Sequence, residues 1–495
     1  MEDDINKRSL DDGYKPSVAG STANDHANMA SDDVEKHTFP GEDDETQRRG
    51  SKYDRGDPFG DEEGAEVKYR TLEWWQAALI MIAETISLGI LSLPSVLATI
   101  GLVAGIILII GLGLLATYTG YTISQFKAAY PHVHNMADVG EVMMGPFGRE
   151  VFGAAQTIFL IFVMGSHLLT FTIAMNAITS HATCTIVWGV VGLVIFIVLT
   201  IPRTLRKVSY LSIACKTVQL PDQMRWNCAD TITAFVSILA AIMITMIGVG
   251  IQRPDPTVQA TTSVPFASAF GATTNIIFAF AGHVAFFSFI SELKNPNEFP
   301  KALVALQISD TTLYIIVAIV VYRFAGPDVA SPALGSTTST VMKVAYGIAL
   351  PTIVIAGIIY AHVAAKYIYV RLFRGTPHMS KRTWLSLGTW LGIVILLWVI
   401  AWIIAESIPV FNNLLGIISA LFASWFTYGL SGVLWLFINW GGWFKNMKKS
   451  ALTVLNLLIF GIGAAICGIG LYASGKSIHD SSGTGQSWSC AYNSA

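Results

Sequence analysis

Uninterrupted apolar runs of about 20 or more residues recur along this chain, and they constrain its fold more than any other feature. Each run is long enough for an α-helix to cross the hydrocarbon core of a bilayer. The runs are continuous rather than alternating, which excludes a membrane β-barrel. The sequence therefore predicts an all-α polytopic protein of the lipid bilayer. About eleven spans can be placed, at 74–98, 101–126, 150–180, 184–201, 232–251, 266–290, 304–324, 341–372, 383–405, 409–438 and 451–474.

Composition supports a membrane protein and argues against other classes. Apolar residues make up 53% of the chain and charged residues 13%, whereas soluble domains carry about 25% charge. The sequence has no basic patch or nucleic-acid motif, so no nucleic-acid partner is expected. It has no paired acids at protease spacing, no nucleophile elbow and no phosphate loop, so an enzyme is not predicted. The 5 cysteines show no metal-ligand spacing, and neither a metal nor a cofactor is expected.

Lysine and arginine residues in the connections predict the orientation of the spans. Most of them fall on one side of the membrane. The exceptions are Arg253, Arg323, Lys343 and Lys476. The positive-inside rule thus places the N-terminus in the cytoplasm and, with an odd number of spans, the C-terminus outside. Cys184 and Cys490 would both lie outside, where they could form a disulfide or remain free thiols.

The two ends of the chain differ in composition from the middle. Residues 1–68 are rich in charged residues, Ser and Gly and nearly lack Leu, Ile and Val, which predicts a disordered cytoplasmic tail. This tail is either a plain solvated segment or a regulatory arm that binds regulatory or trafficking proteins. A transmembrane domain is predicted at 69–475 and an extracytoplasmic tail at 476–495.

A polar block at 215–234 interrupts the transmembrane domain. It separates the apolar stretch that ends at Ala214 from the one that resumes at Phe235. One interpretation is a longer cytoplasmic loop that leads into the fifth span. We favour a translated intron or gene-model error, because deleting the block would join the two stretches into one continuous span.

The first span contains an ionisable residue, Glu84, within an otherwise apolar helix. A charged side chain at membrane depth costs several kcal/mol, so such residues are rare and usually functional. Ser87, Gly89 and Pro94 follow closely, where a simple anchor would carry only Leu, Ile and Val. The stretch predicts a break in the helix near the middle of the bilayer.

The sixth span shows the same combination, with Gly282 and His283 among small and aromatic residues. Spans one and six are five apart, so an inverted repeat of five plus five spans would place them in equivalent positions. Interrupted spans in equivalent positions indicate a transporter binding site near the midplane. The unwound backbone offers N–H and C=O groups, and a half-helix N-terminus favours a carboxylate.

Two motifs carry a resemblance to a known family. ETISLGILSLP in span one and FAFAGHVAFFSFISELKNPNEFPKAL in span six resemble the amino acid/auxin permease family, and within it the fungal neutral amino acid permeases. The resemblance covers about 69–472, apart from 215–234. It implies a leucine-transporter-type inverted repeat plus one extra helix, and secondary active import of amino acids, often with protons. Sodium-using relatives commonly carry an Asn near the start of the first break; Ala83 and Glu84 stand there, which favours protons.

The breaks define the candidate site residues. Glu84 could carry the coupled proton or be a neutral, hydrogen-bonded structural acid. His283 could titrate in the working pH range or be a packed histidine beside the break. The backbone of the first break would hold the α-carboxylate and amine of an amino acid, and phenylalanines would contact its side chain. The predicted substrate pocket comprises Thr85, Ser87, Leu88, Gly89, Ile90, Leu91, Phe278, Phe280, Ala281 and Gly282.

These features together predict a proton-coupled importer of small neutral amino acids that works by alternating access around broken spans one and six. An apolar pocket suits neutral side chains, since burying an unpaired charge is costly. The alternatives are a vacuolar exporter of the same family and an amino acid receptor with little flux. The plasma membrane is the expected location and the vacuolar membrane the second choice.

Overall fold

The computed structural model describes residues 70, 72–202, 222–252, 258–373, 383–480 and 487–493, with the backbone alone for 222–234. All of them belong to one compact unit, Asp54–Ala495. The predicted tail at 1–68 and residues 215–221 of the polar block lie outside the described residues. The remainder of the block, 222–234, is helical backbone continuous with the fifth helix.

The described residues are helical apart from turns and a single bridge between Leu72 and Leu293. The predicted all-α fold is confirmed. The helices are α1 (Trp74–Ile100), α2 (Leu102–Ala129), α3 (Met136–Thr179), α4 (Thr185–Thr200), α5 (Asp222–Gln252), α6 (Phe266–Ala279), α7 (His283–Glu292), α8 (Phe299–Ala325), α9 (Ser339–Phe373), α10 (Trp384–Ser407), α11 (Phe411–Ile418), a π-helix (Ser419–Gly429), α12 (Leu430–Ile438) and α13 (Met447–Asp480).

Ten helical stretches among the described residues are long and apolar enough to cross a membrane. Within these, α6 and α7 together make one stretch, as do α11, the π-helix and α12. The apolar helix α4, with 16 residues, is shorter than the others. Counted with α4, the stretches match the spans predicted from the sequence.

The helices divide into a central and a peripheral set. In the most apolar 18-residue stretch of α1 and of α3, 78% and 83% of the residues are buried, whereas in that of α2 and of α13 only 28% are buried. The exposed faces of α2 and α13 carry large apolar side chains such as Leu114 and Leu458, as expected of surfaces that meet lipid. Helix α1 packs against α6, α8 and α5, so its side chains lie at the centre of the molecule.

The prediction of a break in span one is wrong, because α1 is a single continuous helix. The small polar residues serve the helix rather than interrupt it. The hydroxyl groups of Ser87, Ser92 and Ser95 donate to carbonyl oxygens three residues earlier. Pro94 lies inside the helix, where neighbouring helices and hydroxyl groups make a proline tolerable in a membrane.

The break predicted in span six is present. Helix α6 ends at Ala279 and α7 begins at His283, so residues 280–282 separate two half-helices. A Cβ atom at Gly282 would lie 2.9 Å from the Thr85 Cγ2 atom. Glycine is therefore required at the break by the close approach of α1.

The C-terminal segment is attached to the end of the molecule that carries the α3–α4 connection. A disulfide joins Cys184 to Cys490. The Asn176 amide donates to the Asn493 side-chain oxygen at 2.8 Å, and the Thr185 hydroxyl donates to the Ala491 carbonyl at 2.6 Å. Helix α13 continues to Asp480, beyond the boundary predicted at 475.

Candidate functional site

A cavity of about 20 Å³ lies where α1 meets the break between α6 and α7. It is far smaller than the roughly 300–1,000 Å³ of small-molecule sites, so it must widen to admit a substrate. Helices α3 and α9 close its other side. The lining residues are Glu84, Thr85, Ser87, Leu88, Phe159, Val163, His167, Phe278, Ala281, Gly282 and Tyr360.

The cavity brings together part of the predicted pocket. It is lined by seven of the predicted residues, Glu84, Thr85, Ser87, Leu88, Phe278, Ala281 and Gly282, and not by the others, Gly89, Ile90, Leu91, Phe280 and His283. The difference follows from the continuity of α1, since successive residues of an intact helix point in different directions. Phe280 instead packs edge-on against Tyr314, with ring centroids 5.3 Å apart.

Glu84 extends from α1 across the cavity to α9. Its carboxyl group accepts a hydrogen bond from the Tyr360 hydroxyl. The Tyr360 ring also packs against the His167 ring of α3, with centroids 5.7 Å apart. Glu84 therefore joins α1 to α9, and its side chain also lines the cavity.

His283 links α7 to α2. Its Nε2 atom lies 2.9 Å from the Ala116 carbonyl oxygen and 3.0 Å from the Thr119 hydroxyl oxygen, and the side chain is fully buried. A carbonyl oxygen can only accept, so Nε2 carries a proton. This geometry favours the packed histidine over a histidine that faces the substrate.

Behind the cavity, Asp310 and Tyr314 of α8 bond to α1 and α6. The Thr85 Oγ1 atom is 2.6 Å from Asp310 Oδ2. The Tyr314 hydroxyl is 2.7 Å from the Ala279 carbonyl oxygen and 3.2 Å from that of Thr85. Tyr314 thus ties the last residue of α6 to α1 directly beside the break.

Sequence reasoning missed several of these residues. Asp310 had the same signal as Glu84, because it is an ionisable residue isolated in an apolar run. Phe159, Val163 and Tyr360 had no comparable signal. They are ordinary members of long apolar helices, and only the packing of α3 and α9 against α1 brings them to the cavity.

A second, wider cavity of about 480 Å³ lies between the C-terminal half of α1 and the N-terminal half of α6. It is polar, with Ser95, Asn275 and Asn412 in its wall, and Lys476 and Asp480 also line it. Among the described residues, no group of three His, Cys, Asp or Glu side chains could hold a metal ion.

Comparisons with known proteins show the family of this chain. Residues 70–475 match the family of transmembrane amino acid transporter proteins. The N amino acid transport system protein of Neurospora crassa is 38% identical over 426 residues, which cover 84% of this chain and 86% of that protein. A transmembrane transporter of Gibberella moniliformis is 28% identical over 86% of this chain and 89% of its own length. A crystal structure of MhsT with L-phenylalanine superposes on 82% of this chain and all of MhsT, with 14% identity and a TM-score of 0.48. The chain therefore belongs to the transmembrane amino acid transporter family.

Proposed function

We propose that this protein imports small neutral amino acids by proton symport, with alternating access around the cavity between α1 and the α6–α7 break. The observation that carries the proposal is the composition of that cavity. It combines an ionisable group, Glu84, with the start of a half-helix at Gly282 and a wall of apolar side chains. Membership of an amino acid transporter family and the similarity to the N amino acid transport system protein of Neurospora crassa support an amino acid as substrate.

The start of α7 suits the α-carboxylate of the substrate. The first N–H groups of a helix have no intrahelical partner, and the helix dipole favours negative charge there. Gly282 immediately precedes α7 and lines the cavity, so the start of this helix lies beside the substrate space.

The remaining wall suits an uncharged side chain. Leu88, Phe159, Val163 and Phe278 supply apolar surface on the same cavity. A charged substrate side chain would need a partner in this wall, because burying an unpaired charge costs several kcal/mol. The cavity of about 20 Å³ must widen to admit a substrate, and a small side chain requires the least widening.

A transport assay tests this function. The full-length protein in proteoliposomes should accumulate a labelled neutral amino acid when the outside is acidic, and collapse of the pH gradient should release it. A pH-sensitive dye inside the vesicles should report proton entry only when substrate is present. Substrate binding without accumulation would favour a receptor instead. Accumulation that follows a sodium gradient would contradict proton symport.

The location of the protein needs a separate experiment in cells. A fluorescent tag would distinguish the plasma membrane from the vacuolar membrane.

Phe278 should set the size limit of the substrate. We expect Phe278→Ala to improve competition by large neutral amino acids roughly tenfold relative to small ones, since methylene-scale changes in an apolar pocket have effects of that order. Competition against labelled substrate measures the change. Phe266→Ala, on the 65% exposed side chain at the start of the same helix, is the control. An unchanged selectivity in Phe278→Ala would exclude Phe278 from the substrate site.

A further inference from the structure

The Thr85 hydroxyl has more partners than it has protons. Its Oγ1 atom is 2.9 Å from the Met81 carbonyl oxygen and 2.6 Å from Asp310 Oδ2. A threonine hydroxyl carries one proton and can also accept. If that proton goes to the Met81 carbonyl, the contact with Asp310 needs a proton from the carboxyl group. If it goes to Asp310, the Met81 carbonyl loses its hydroxyl partner.

Among the described residues, none places a positive charge beside an ionised Asp310 carboxylate. The side chain is 1% exposed, and its Oδ1 atom has no hydrogen-bond partner within the described part of the chain. Tyr314, one turn further along α8, donates to carbonyl oxygens rather than to Asp310. An unpaired, buried carboxylate is strongly disfavoured, and a bound proton removes the charge.

The titratable groups on the helices packed against α8 are engaged elsewhere. Glu84 of α1 bonds Tyr360, and Tyr118 of α2 bonds Asn456. Lys127 of α2 bonds the carbonyl groups of Pro131 and Val133, and Tyr121 of α2 is exposed. His283 of α7 bonds Ala116, and Glu292 at the other end of α7 interacts with Lys366. The described side chains of α5, from Phe235 to Gln252, include no ionisable group. Among the described side chains, Thr85 is thus the hydrogen-bond partner of the Asp310 carboxyl group.

We propose that Asp310 is a proton-binding site of the transport cycle, separate from Glu84, and that Thr85 transmits its protonation state to α1. The proposal rests on the proton symport proposed above. Protonation from the aqueous phase makes Asp310 the donor to Thr85, which then donates to Met81. Loss of that proton makes Thr85 the donor to Asp310 and frees the Met81 carbonyl.

Thr85 is well placed to transmit this change. It lines the cavity, and its methyl group is in contact distance of Gly282 at the break. Its carbonyl oxygen shares the Tyr314 hydroxyl with Ala279, the last residue of α6. A change of donor at Asp310 therefore acts on α1 and on the break together.

Asp310→Asn tests the proposal in the full-length protein in proteoliposomes. The Asn amide donates to Thr85 as the protonated carboxyl group does but cannot release a proton. We expect labelled amino acid exchange without a gradient to persist at a reduced rate, while accumulation driven by a pH gradient falls at least about tenfold and substrate-linked proton entry is lost. Asp328→Asn, on an exposed residue beyond the end of α8, should behave as the wild type.

The outcomes separate this proposal from the proposed function. Proton entry in the wild type that is unchanged in Asp310→Asn would overturn the role of Asp310 and leave proton symport intact. A wild type without any proton entry would overturn both. Sodium-driven accumulation that is lost in Asp310→Asn would make Asp310 a cation ligand and overturn the proton site.

A second measurement covers the case in which Asp310→Asn also loses exchange. Infrared spectra of the Glu84→Gln protein should contain the C=O absorption of protonated carboxylic acids, and adding Asp310→Asn should remove the part that belongs to Asp310. Absorption of unchanged intensity in the double variant would overturn the proposal, and a weaker absorption would support it.

Discussion

Glu84→Gln should abolish uptake driven by a pH gradient. Glutamine fills the same space, and its carbonyl oxygen can still accept the hydrogen bond from Tyr360 that the carboxyl group receives. It has no proton to exchange in the working pH range, so a cycle that moves a proton with each substrate cannot close. We expect accumulation at acidic external pH to fall at least about tenfold, while gradient-free exchange persists.

Glu84 and Asp310 should be distinguishable by substrate affinity. Glu84 lines the cavity, so Glu84→Gln should remove the pH dependence of substrate binding measured on the purified protein, and Asp310→Asn should not. Glu141→Gln is the control, because Glu141 forms a 3.3 Å surface ion pair with Arg149 and such pairs contribute little. Uptake by Glu84→Gln with a wild-type pH profile would show that Glu84 is a structural acid.

Gly89→Ala should have the second large effect. A Cβ atom at Gly89 would lie 2.6 Å from the Ala279 Cα atom and 2.9 Å from its Cβ atom. Both are rigid parts of α6, so the two central helices would have to separate directly beside the break. Overpacking of this kind costs about 1–3 kcal/mol, and we expect a lower melting temperature together with at least about tenfold slower uptake.

Gly111→Ala is the matched control for that substitution. Gly111 lies on the exposed face of α2, and a Cβ atom there would meet nothing within 4 Å. Alanine has a higher helix propensity than glycine, so this variant should melt at the same temperature or slightly higher. If Gly89→Ala behaves like Gly111→Ala, the close contact of α1 with α6 is not needed for transport.

The positions of α1 and of the α6–α7 break illustrate how far local signals extend. Apolar runs located the helices because the bilayer requires every backbone N–H and C=O group to be satisfied within the segment. The combination of Gly282 and His283 correctly indicated a broken helix. Gly89 and Pro94 appeared equivalent, yet α1 is continuous. A glycine at a helix break and a glycine at a close helix contact cannot be told apart in the sequence. Only the close approach of Ala279 to Gly89 in the folded protein shows that Gly89 is of the second kind.

The sequence alone determined that this protein is a helical membrane protein, where its spans lie, and that Glu84 and the sixth-span break are unusual for a bilayer. These properties depend on the length and polarity of single segments, so they can be recognised one segment at a time. Only the tertiary structure decided which residues share the cavity. Tyr360 meets Glu84, and Asp310 meets Thr85 from 225 positions away, because separate helices pack side by side. Helix packing depends on side-chain shape across the whole bundle, and no local pattern of residues encodes it.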